Sequence, residues 1–470
     1  MISIKNLLSS LAIITSFVIS AQNSYQLDFK VIGLPDGELF LANYYGSGQY
    51  YKDTAVVKDG EFSFSGVKPL NEGMYSIVKD NGRLFDIFVD EQRFSMSTDT
   101  SGLIKNMVIN NSPENSLFYE YMNYLSAQQI IMKELKAKKD ATEKKKELEN
   151  IDKEIEELDK TVSEYRKGFF KKHKDSFTAQ FLQAMEFPEI PETPKLKDGS
   201  LDSLFPYRYT KAHLFDHINF NDERFLNSPA YHEKMTYYIS KLTPQVPDSI
   251  NAAADYLLKK ANNPEIFRYT LSYITSTYEK SEYIGMDAVF VHMARNYYLN
   301  GKADWITEAQ LKKVKERADA LEPLLIGKKA PNIVVKDTAQ KNYLQLYDVK
   351  AKYTVVYIWS PECGHCKKST PVLKKMYDKY KDDDLKVFAV GNDFENDKWI
   401  EFIKKNQLNF INGSDGGEFT SNFRHLYDVY STPQTYLLDE DKKIIVKKIE
   451  VEELDKLLGE LIKKDKAKNE

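Results

Sequence analysis

The chain has 470 residues, of which 66 are basic and 70 are acidic, and its formal net charge is −4. Charges this evenly balanced create no global positive field, so the composition does not support nucleic-acid binding. Hydrophobic residues make up 42% and charged residues 29% of the chain, as in a folded globular protein. Since one domain usually takes ~100–200 residues, the length predicts about three domains.

The first 21 residues have the layout of a secretory signal peptide. Lys5 precedes an apolar run from Leu7 to Ala21 that only serine and threonine interrupt, and Ala21 offers a small-residue cleavage point. The run is shorter than the ~20 apolar residues of a membrane-spanning helix. We therefore expect residues 1–21 to be a signal peptide and the protein to be exported to the periplasm or cell envelope without spanning the membrane. A buried N-terminal helix is the alternative.

Residues 22–111 have the pattern of an N-terminal β-sandwich. Short segments rich in β-branched and aromatic residues alternate with turn residues, among them Asp59-Gly60 and Asn81-Gly82. Such pairs reach the positive φ angles of tight hairpin turns with little strain. Seven or eight short strands at this spacing predict a small sandwich of two sheets.

Residues 112–325 are predicted to be all-α. Ser112 followed by Pro113 is a good helix start, because a serine oxygen can cap free N–H groups and proline has no N–H to lose. Residues 133–174 carry many charges of opposite sign four residues apart, which predicts an exposed helical hairpin or short coiled coil. Further helix starts are expected at Asn263-Pro264 and at the capping box that begins with Thr307.

His213 and His217 are spaced as one turn of a helix would place a pair of zinc ligands. No third ligand lies nearby, and no glutamate stands between them in the metalloprotease arrangement. We therefore interpret them as ordinary helix histidines and expect no metal.

Residues 326–470 change character again. Strand-like segments alternate with helical segments of ten to fifteen residues, which predicts βαβ units around a mixed sheet. A C-terminal α/β domain is therefore expected, after the β-sandwich and the helical region.

Both cysteines of the chain, Cys363 and Cys366, lie in the segment WSPECGHCKKSTP. Cys363 follows a β-rich run and opens a helical one, so its sulfur is expected among the free N–H groups at a helix N-terminus. These groups and the helix dipole favour the thiolate, which is the form that attacks disulfides. His365, when protonated, adds a further group that stabilises the thiolate. Cys366, one turn along, could then resolve a mixed disulfide formed at Cys363.

A zinc site and an inert structural disulfide are the alternatives to a redox pair. Zinc normally takes four ligands, and His425 is the only other histidine in this C-terminal segment. A disulfide that closes so small a ring constrains little of the unfolded chain. We therefore favour redox chemistry that needs no cofactor or metal.

Residues 326 to about 460 resemble the thioredoxin-fold family, most closely the exported TlpA/ResA-like thiol–disulfide oxidoreductases. The residues that carry the resemblance are Gly327–Pro331, Trp359, the Cys-Gly-His-Cys pair, Pro371 within the active-site helix, and Ser431-Thr432-Pro433. The resemblance implies a cis peptide bond before Pro433. It also implies that the backbone of Thr432 lies beside the two sulfurs and offers a strand edge to an extended substrate.

Two positions depart from thioredoxin. Glu362 stands where thioredoxins have tryptophan, and Tyr357 stands where they have a buried acid. A carboxylate next to Cys363 opposes thiolate formation, although only weakly if it is exposed. Glu362 and a water molecule are both candidates for moving the proton in the second exchange step.

The sequence thus predicts a periplasmic thiol–disulfide oxidoreductase, a reductase or an isomerase, that acts on protein or peptide thiols and disulfides. The resemblance also implies a membrane redox partner as electron donor. The alternative is an envelope binding or scaffold protein in which the thioredoxin-like domain docks a partner with little turnover. The presence of both cysteines and of the cis-proline motif argues against this alternative.

Overall fold

The computed structural model describes residues 24–393, 396–416 and 420–469. The predicted signal peptide, residues 1–21, lies outside these ranges. Within them, we find no helix with the length and apolar character needed to cross a membrane. The chain divides into two compact units, which meet in sequence between Tyr238 and Ile239.

The first unit begins with a strand-rich region, which confirms the prediction for this part of the chain. Its strands are β1 (Tyr25–Ile32), β2 (Gly37–Tyr45), β3 (Gly48–Val57), β4 (Glu61–Gly66), β5 (Gly73–Lys79), β6 (Gly82–Val89), β7 (Arg93–Asp99) and β8 (Val108–Asn110). They form two four-stranded sheets, in the orders β4-β1-β7-β8 and β3-β2-β5-β6. Only β1 and β7 run parallel to each other.

The turn residues act as the sequence indicates. Asp59 and Gly60 both have positive φ angles, of 52° and 77°, between β3 and β4. A Cβ atom on Gly60 would lie 2.5 Å from the carbonyl oxygen of Val31, so this position needs glycine. Inside the region, the ring of Phe29 on β1 lies 6.1 Å from that of Phe85 on β6, which belongs to the other sheet.

The helices of the first unit are α1 (Pro113–Asp140), α2 (Lys145–Lys172), α3 (Phe177–Met185), α4 (Phe205–His213) and α5 (Pro229–Lys241), the last of which runs into the second unit. The predicted helical hairpin is confirmed as α1 and α2. Tyr124 and Tyr165 stack between these two helices with ring centroids 3.5 Å apart. Near the turn, Lys139 Nζ lies 2.5 Å from a carboxylate oxygen of Asp152.

Helix α1 starts at Pro113 as predicted, but the expected serine cap is wrong. The hydroxyl of Ser112 accepts no hydrogen bond from the backbone N–H groups of this helix among the described residues. It donates instead to the carboxylate of Glu91 at 2.9 Å and accepts from Asn115 Nδ2 at 2.8 Å. Ser112 is buried, and its hydroxyl is used to tie the helix start to the turn before β7.

The two histidines of HLFDH do not share a helix. Helix α4 ends at His213, and His217 lies in the turn that follows, which corrects the prediction of two helix histidines. His213 Nδ1 lies 2.7 Å from a carboxylate oxygen of Asp216. No group of three or more potential metal ligands occurs within the described ranges.

The second unit begins with the rest of the helical region. Its helices are α6 (Pro247–Lys260), α7 (Pro264–Glu279), α8 (Asp287–Met293) and α9 (Glu308–Leu321). Both predicted helix starts are confirmed. The side chain of Asn263 accepts hydrogen bonds from the first N–H groups of α7, and Thr307 and Gln310 form a complete capping box at α9.

The last part of the second unit is the predicted α/β region. Its elements are β9 (Val334–Asp337), β10 (Tyr343–Gln345), β11 (Tyr353–Trp359), α10 (Gly364–Tyr380), β12 (Leu385–Gly391), α11 (Asn396–Lys405), β13 (Ile411–Ser414), α12 (Phe423–Leu426), β14 (Gln434–Leu438), β15 (Ile444–Lys447) and α13 (Val451–Asn469). The seven strands form one mixed sheet in the order β10-β9-β13-β12-β11-β14-β15. Strands β11, β12 and β13 are parallel, and the other neighbours are antiparallel, as in a thioredoxin-like fold.

Strand β11 is the centre of this region because it is buried on both faces. Val355, Tyr357 and Trp359 point into the core formed with α10, α11 and α13. Val356 and Ile358 point into the core on the other side of the sheet. A strand buried on both faces has a continuous apolar sequence. Because β11 is held in place on both sides, the segment that follows it, which contains both cysteines, is also held in place.

Candidate functional site

Cys363 is the N-cap residue of α10, as the sequence predicts. Its Sγ accepts a hydrogen bond from the backbone N–H of Cys366 at 3.2 Å. On the other side, the Cys363 thiol donates to the carbonyl oxygen of Thr432 at 3.1 Å. Both cysteines are free thiols, so the structure represents the reduced pair.

The two thiols have different environments. Cys363 is partly exposed, whereas Cys366 is fully buried. Burial opposes ionisation of Cys363, but hydrogen bonding with the thiol and backbone N–H of Cys366 outweighs it and lowers the pKa of Cys363. Burial raises the pKa of Cys366 to about 12. The environment therefore favours the thiolate at the accessible sulfur and the thiol at the buried one.

His365 lies exposed in the first turn of α10. Among the described residues, its imidazole forms no hydrogen bond or ion pair. Its backbone N–H is one of the groups that lower the pKa of Cys363. This residue thus acts on the sulfur through its main chain in the reduced structure, in addition to any charge on its ring.

Glu362 is exposed and has a partner of its own. Its carboxylate lies 3.1 Å from Lys398 Nζ on α11. Its backbone N–H donates to Ser360 Oγ at 3.1 Å, and Ser360 in turn donates to Asp393 at 2.7 Å. The pairing with Lys398 offsets part of the negative charge that stands next to Cys363.

Trp359 and Tyr357 lie beneath the cysteine pair. Trp359 is fully buried, and its ring packs against Tyr357 and Phe402 with centroids 6.2 Å and 5.2 Å away. The hydroxyl of Tyr357 lies 2.8 Å from Ser369 Oγ and 3.0 Å from Thr370 Oγ1. Burial raises the pKa of Tyr357, so the position of the thioredoxin acid holds a neutral hydroxyl.

The loop before β14 completes the site. The peptide bond between Thr432 and Pro433 is cis, which confirms the prediction. The structure therefore brings together the predicted site residues: the cysteine pair, its neighbours Glu362 and His365, Trp359, and the Thr432-Pro433 pair.

Sequence reasoning missed Arg317 and Asp428. Arg317 on α9 binds both carboxylate oxygens of the buried Asp428 through one guanidinium nitrogen, at 2.9 Å and 2.7 Å. Arg317, His365 and Pro433 line a common cavity of about 490 Å³. No local pattern identifies this pair, because 111 positions separate its members. The exposed Tyr430, directly before the cis-proline motif, was the available signal for a binding surface.

The fold and the cysteine pair define a thioredoxin-like oxidoreductase. The AhpC/TSA family matches residues 326–447, and two domains of unknown function, DUF4369 and DUF5106, match residues 25–118 and 123–322.

The thiol-disulfide oxidoreductase ResA of Bacillus thuringiensis subsp. konkukian is 33% identical over 144 residues, which cover 30% of this chain and 80% of that protein. Sporulation thiol-disulfide oxidoreductase A of Bacillus subtilis is 32% identical, and the match covers 21% of this chain and 61% of that protein. A solved domain of a possible thiol-disulfide isomerase from Cytophaga hutchinsonii is 38% identical, with 31% and 98% of the two chains covered and a TM-score of 0.29. The chain belongs to the ResA family of thiol–disulfide oxidoreductases, and the alternative of a binding or scaffold protein with little turnover is not favoured.

Proposed function

We propose that this protein is a periplasmic reductase or isomerase that acts on protein or peptide disulfides, with Cys363 as nucleophile and Cys366 as resolving thiol. The observation that carries this proposal is the contrast between the two sulfurs. Cys363 is accessible and its pKa is lowered, while Cys366 is buried and its pKa is raised to about 12. Only the thiolate is a good nucleophile, so Cys363 reacts first with a client.

The reaction proceeds by two exchanges. The thiolate of Cys363 attacks one sulfur of a client disulfide, the client S–S bond breaks, and the other client sulfur leaves as a thiolate. Cys366 then loses its proton and attacks Cys363 Sγ, which releases the second client sulfur. The client gains two electrons, and the protein is left with a Cys363–Cys366 disulfide. In isomerisation, a client thiol attacks the mixed disulfide instead, and no net electron transfer occurs.

The second exchange needs a base for the buried thiol of Cys366. Glu362 and a water molecule beside Cys363 are the two candidates. Glu362 is exposed and paired with Lys398, whereas Cys366 is fully buried, and this difference in exposure supports water as the immediate acceptor. A membrane redox partner is proposed to return the pair to the dithiol form, since each reduction consumes two electrons.

The other site residues support these steps. His365 stabilises the Cys363 thiolate, and Trp359 forms the packed base of the active-site turn. Thr432 and Pro433 bind the client backbone as an added strand. The carbonyl oxygen of Thr432 is suited to this role because it already lies 3.1 Å from Cys363 Sγ.

The domain boundaries are also part of the proposal. Residues 1–21 serve as a signal peptide that directs the chain to the periplasm. A β-sandwich domain occupies residues 22–111, a helical domain 112–325 and the thioredoxin-like domain 326–470. Contacts such as that between Phe29 and Phe85, which lie on different sheets, support the sandwich.

Reduction of insulin by the full mature chain tests the proposed function. With dithiothreitol as electron donor, the wild type should accelerate insulin precipitation at least tenfold over dithiothreitol alone. Cys363→Ala should abolish the acceleration because it removes the nucleophile. A wild-type protein that is folded and reduced but gives no acceleration would refute the function, and an active Cys363→Ala variant would refute the assignment of the nucleophile.

A further inference from the structure

Arg317 connects the helical part of the second unit to the active-site loop. It lies on α9, outside the thioredoxin-like region, and its Nη1 atom donates both of the hydrogen bonds to the carboxylate of Asp428. The side chain of Asp428 is 4% exposed. Just after α9, Leu324 is buried in the core on one side of the seven-stranded sheet, which fixes the position of the helix.

Asp428 in turn holds the loop that carries Thr432 and Pro433. Its backbone carbonyl accepts a hydrogen bond from the Gln434 side chain at 3.2 Å and lies 3.1 Å from the backbone nitrogen of Tyr430. The loop is therefore tied to Asp428 near both of its ends. Loss of Arg317 removes the ion pair that ties this loop to α9 and leaves a buried carboxylate without its counterion, which is strongly unfavourable and displaces the loop.

The surroundings of Arg317 suit a polypeptide better than a small disulfide. The side chain borders the cavity beside Pro433 and a second cavity, also of about 490 Å³, among the helices with Trp305 and Lys313. Tyr430 is 86% exposed, and its ring centroid lies 6.0 Å from the guanidinium carbon of Arg317. Tyr430 lies two residues before Thr432, whose carbonyl oxygen lies 3.1 Å from Cys363 Sγ, and its exposed ring offers apolar area to a bound chain.

We propose that Arg317 is a positioning residue for polypeptide clients. Through Asp428 it fixes the loop of residues 428–433, so that Tyr430 and the Thr432 backbone meet a client segment next to its cysteine. The helical part of the second unit thereby contributes to client recognition. This inference rests on the proposed function, since it concerns how clients bind at the same cysteine pair.

The test compares a protein disulfide with a small one in the full chain. Pre-reduced protein is mixed with increasing insulin or glutathione disulfide, and single-turnover rates give an apparent dissociation constant and a limiting rate. Arg317→Met should weaken insulin binding about tenfold and change its limiting rate less than threefold. The rate with glutathione disulfide should fall by less than threefold, because a small disulfide makes few contacts with the loop.

Two variants make the comparison specific. Arg317→Lys should restore most of the insulin binding, because a single ammonium can replace the one nitrogen that contacts Asp428. Arg295→Met removes ion pairs with Asp319 on α9 and with Glu322 directly after it, without touching the loop, and it should match the wild type.

Equal losses with insulin and glutathione disulfide, a loss confined to the limiting rate, or no change in Arg317→Met would overturn the inference. If Arg317→Met does not fold, Arg317→Met/Asp428→Asn removes the unpaired charge but still lacks the ion pair that ties the loop to α9, so the same weakened insulin binding is expected. Wild-type insulin binding in that folded double variant would also overturn it. A wild type that reduces glutathione disulfide but not insulin would instead refute the protein-client function itself.

Discussion

At the scale of single residues, one turn of helix separates two sulfurs with opposite properties. Cys363 caps α10 and accepts a hydrogen bond from a helical N–H, whereas Cys366 sits inside the core beside Leu373. Free N–H groups at a helix start stabilise a negative charge, and an apolar core destabilises it. The proposed order of the two exchange steps follows from this difference.

Alkylation of the reduced protein should therefore label Cys363 first. Because its pKa is lowered, Cys363 becomes a thiolate at a lower pH than an ordinary cysteine. Its alkylation rate should therefore rise with pH, and the midpoint of that rise should lie below the usual range for cysteine. Cys366, with a pKa of about 12, should react slowly below about pH 10. Peptide mapping after limited treatment with iodoacetamide measures both sites.

The control for this experiment is Cys366→Ala. It removes a thiol whose hydrogen bond lowers the pKa of Cys363. The midpoint of the alkylation rate of Cys363 should therefore move to higher pH. Preferential labelling of Cys366 in the wild type would contradict the assignment of the two roles.

Replacement of His365 should change the reduction potential. Stabilisation of the reduced thiolate makes a cysteine pair more oxidising, and His365→Pro removes both the imidazole and a backbone N–H that acts on Cys363. We expect the potential to fall by tens of millivolts, where 30 mV corresponds to about 1.4 kcal/mol for two electrons. A titration with reduced and oxidised glutathione measures the shift.

His365→Ala separates the two contributions, because it keeps the N–H and removes only the ring. A smaller fall than in the proline variant is expected. An unchanged or raised potential in His365→Pro would show that this residue does not stabilise the thiolate.

At the scale of elements, a second ion pair joins the helical and thioredoxin-like parts of the second unit. Lys447 at the end of β15 is 3% exposed, and its ammonium group contacts Asp287 at the start of α8. It also donates to the carbonyl oxygen of Leu324 at 2.7 Å. Burial lowers the pKa of Lys447, while the charge of Asp287 acts in the opposite direction.

Asp287→Ala should destabilise the protein because it leaves a buried ammonium without its counterion. The expected loss is about 3–5 kcal/mol in the free energy of unfolding, measured with urea at about pH 7. The destabilisation comes from burying the charged form of Lys447, whose folded-state pKa is lowered. It should therefore shrink as the pH rises through that pKa and the ammonium loses its proton. Asp287→Ala/Lys447→Met should recover most of the loss. A loss below about 1 kcal/mol at neutral pH would contradict the account.

Local sequence patterns predicted the elements better than their side-chain contacts. Glycine at a positive φ and helix caps such as Asn263 act within a few residues, so a short segment reveals them. The hydroxyl of Ser112 was misjudged because its partner, Glu91, lies in a distant turn. The pair of Arg317 and Asp428 depends on how α9 packs, which no short segment of sequence encodes.

At the scale of the whole molecule, both cysteines, and with them the proposed redox chemistry, lie in the last part of the chain. The ResA relative from Bacillus thuringiensis covers 30% of this protein, and residues 25–118 and 123–322 match two domains of unknown function. The cysteine motif and the cis-proline motif made the candidate site predictable, because both are short and specific. The strand-rich region has no comparable motif, so its sequence indicates strands and turns without indicating a ligand.

Trapping of mixed disulfides tests the central claim most directly. Cys366→Ala removes the resolving thiol and keeps the nucleophile at the start of α10, so mixed disulfides with clients should accumulate. The chain has only two cysteines, and every reducible adduct of this variant must therefore form at Cys363. Expressed at full length in its native envelope, the variant should give discrete protein adducts on non-reducing gels that disappear with reductant and are absent from Cys363→Ala/Cys366→Ala. A folded, exported variant with only glutathione-sized adducts, or with none, would contradict the claim that proteins are its substrates.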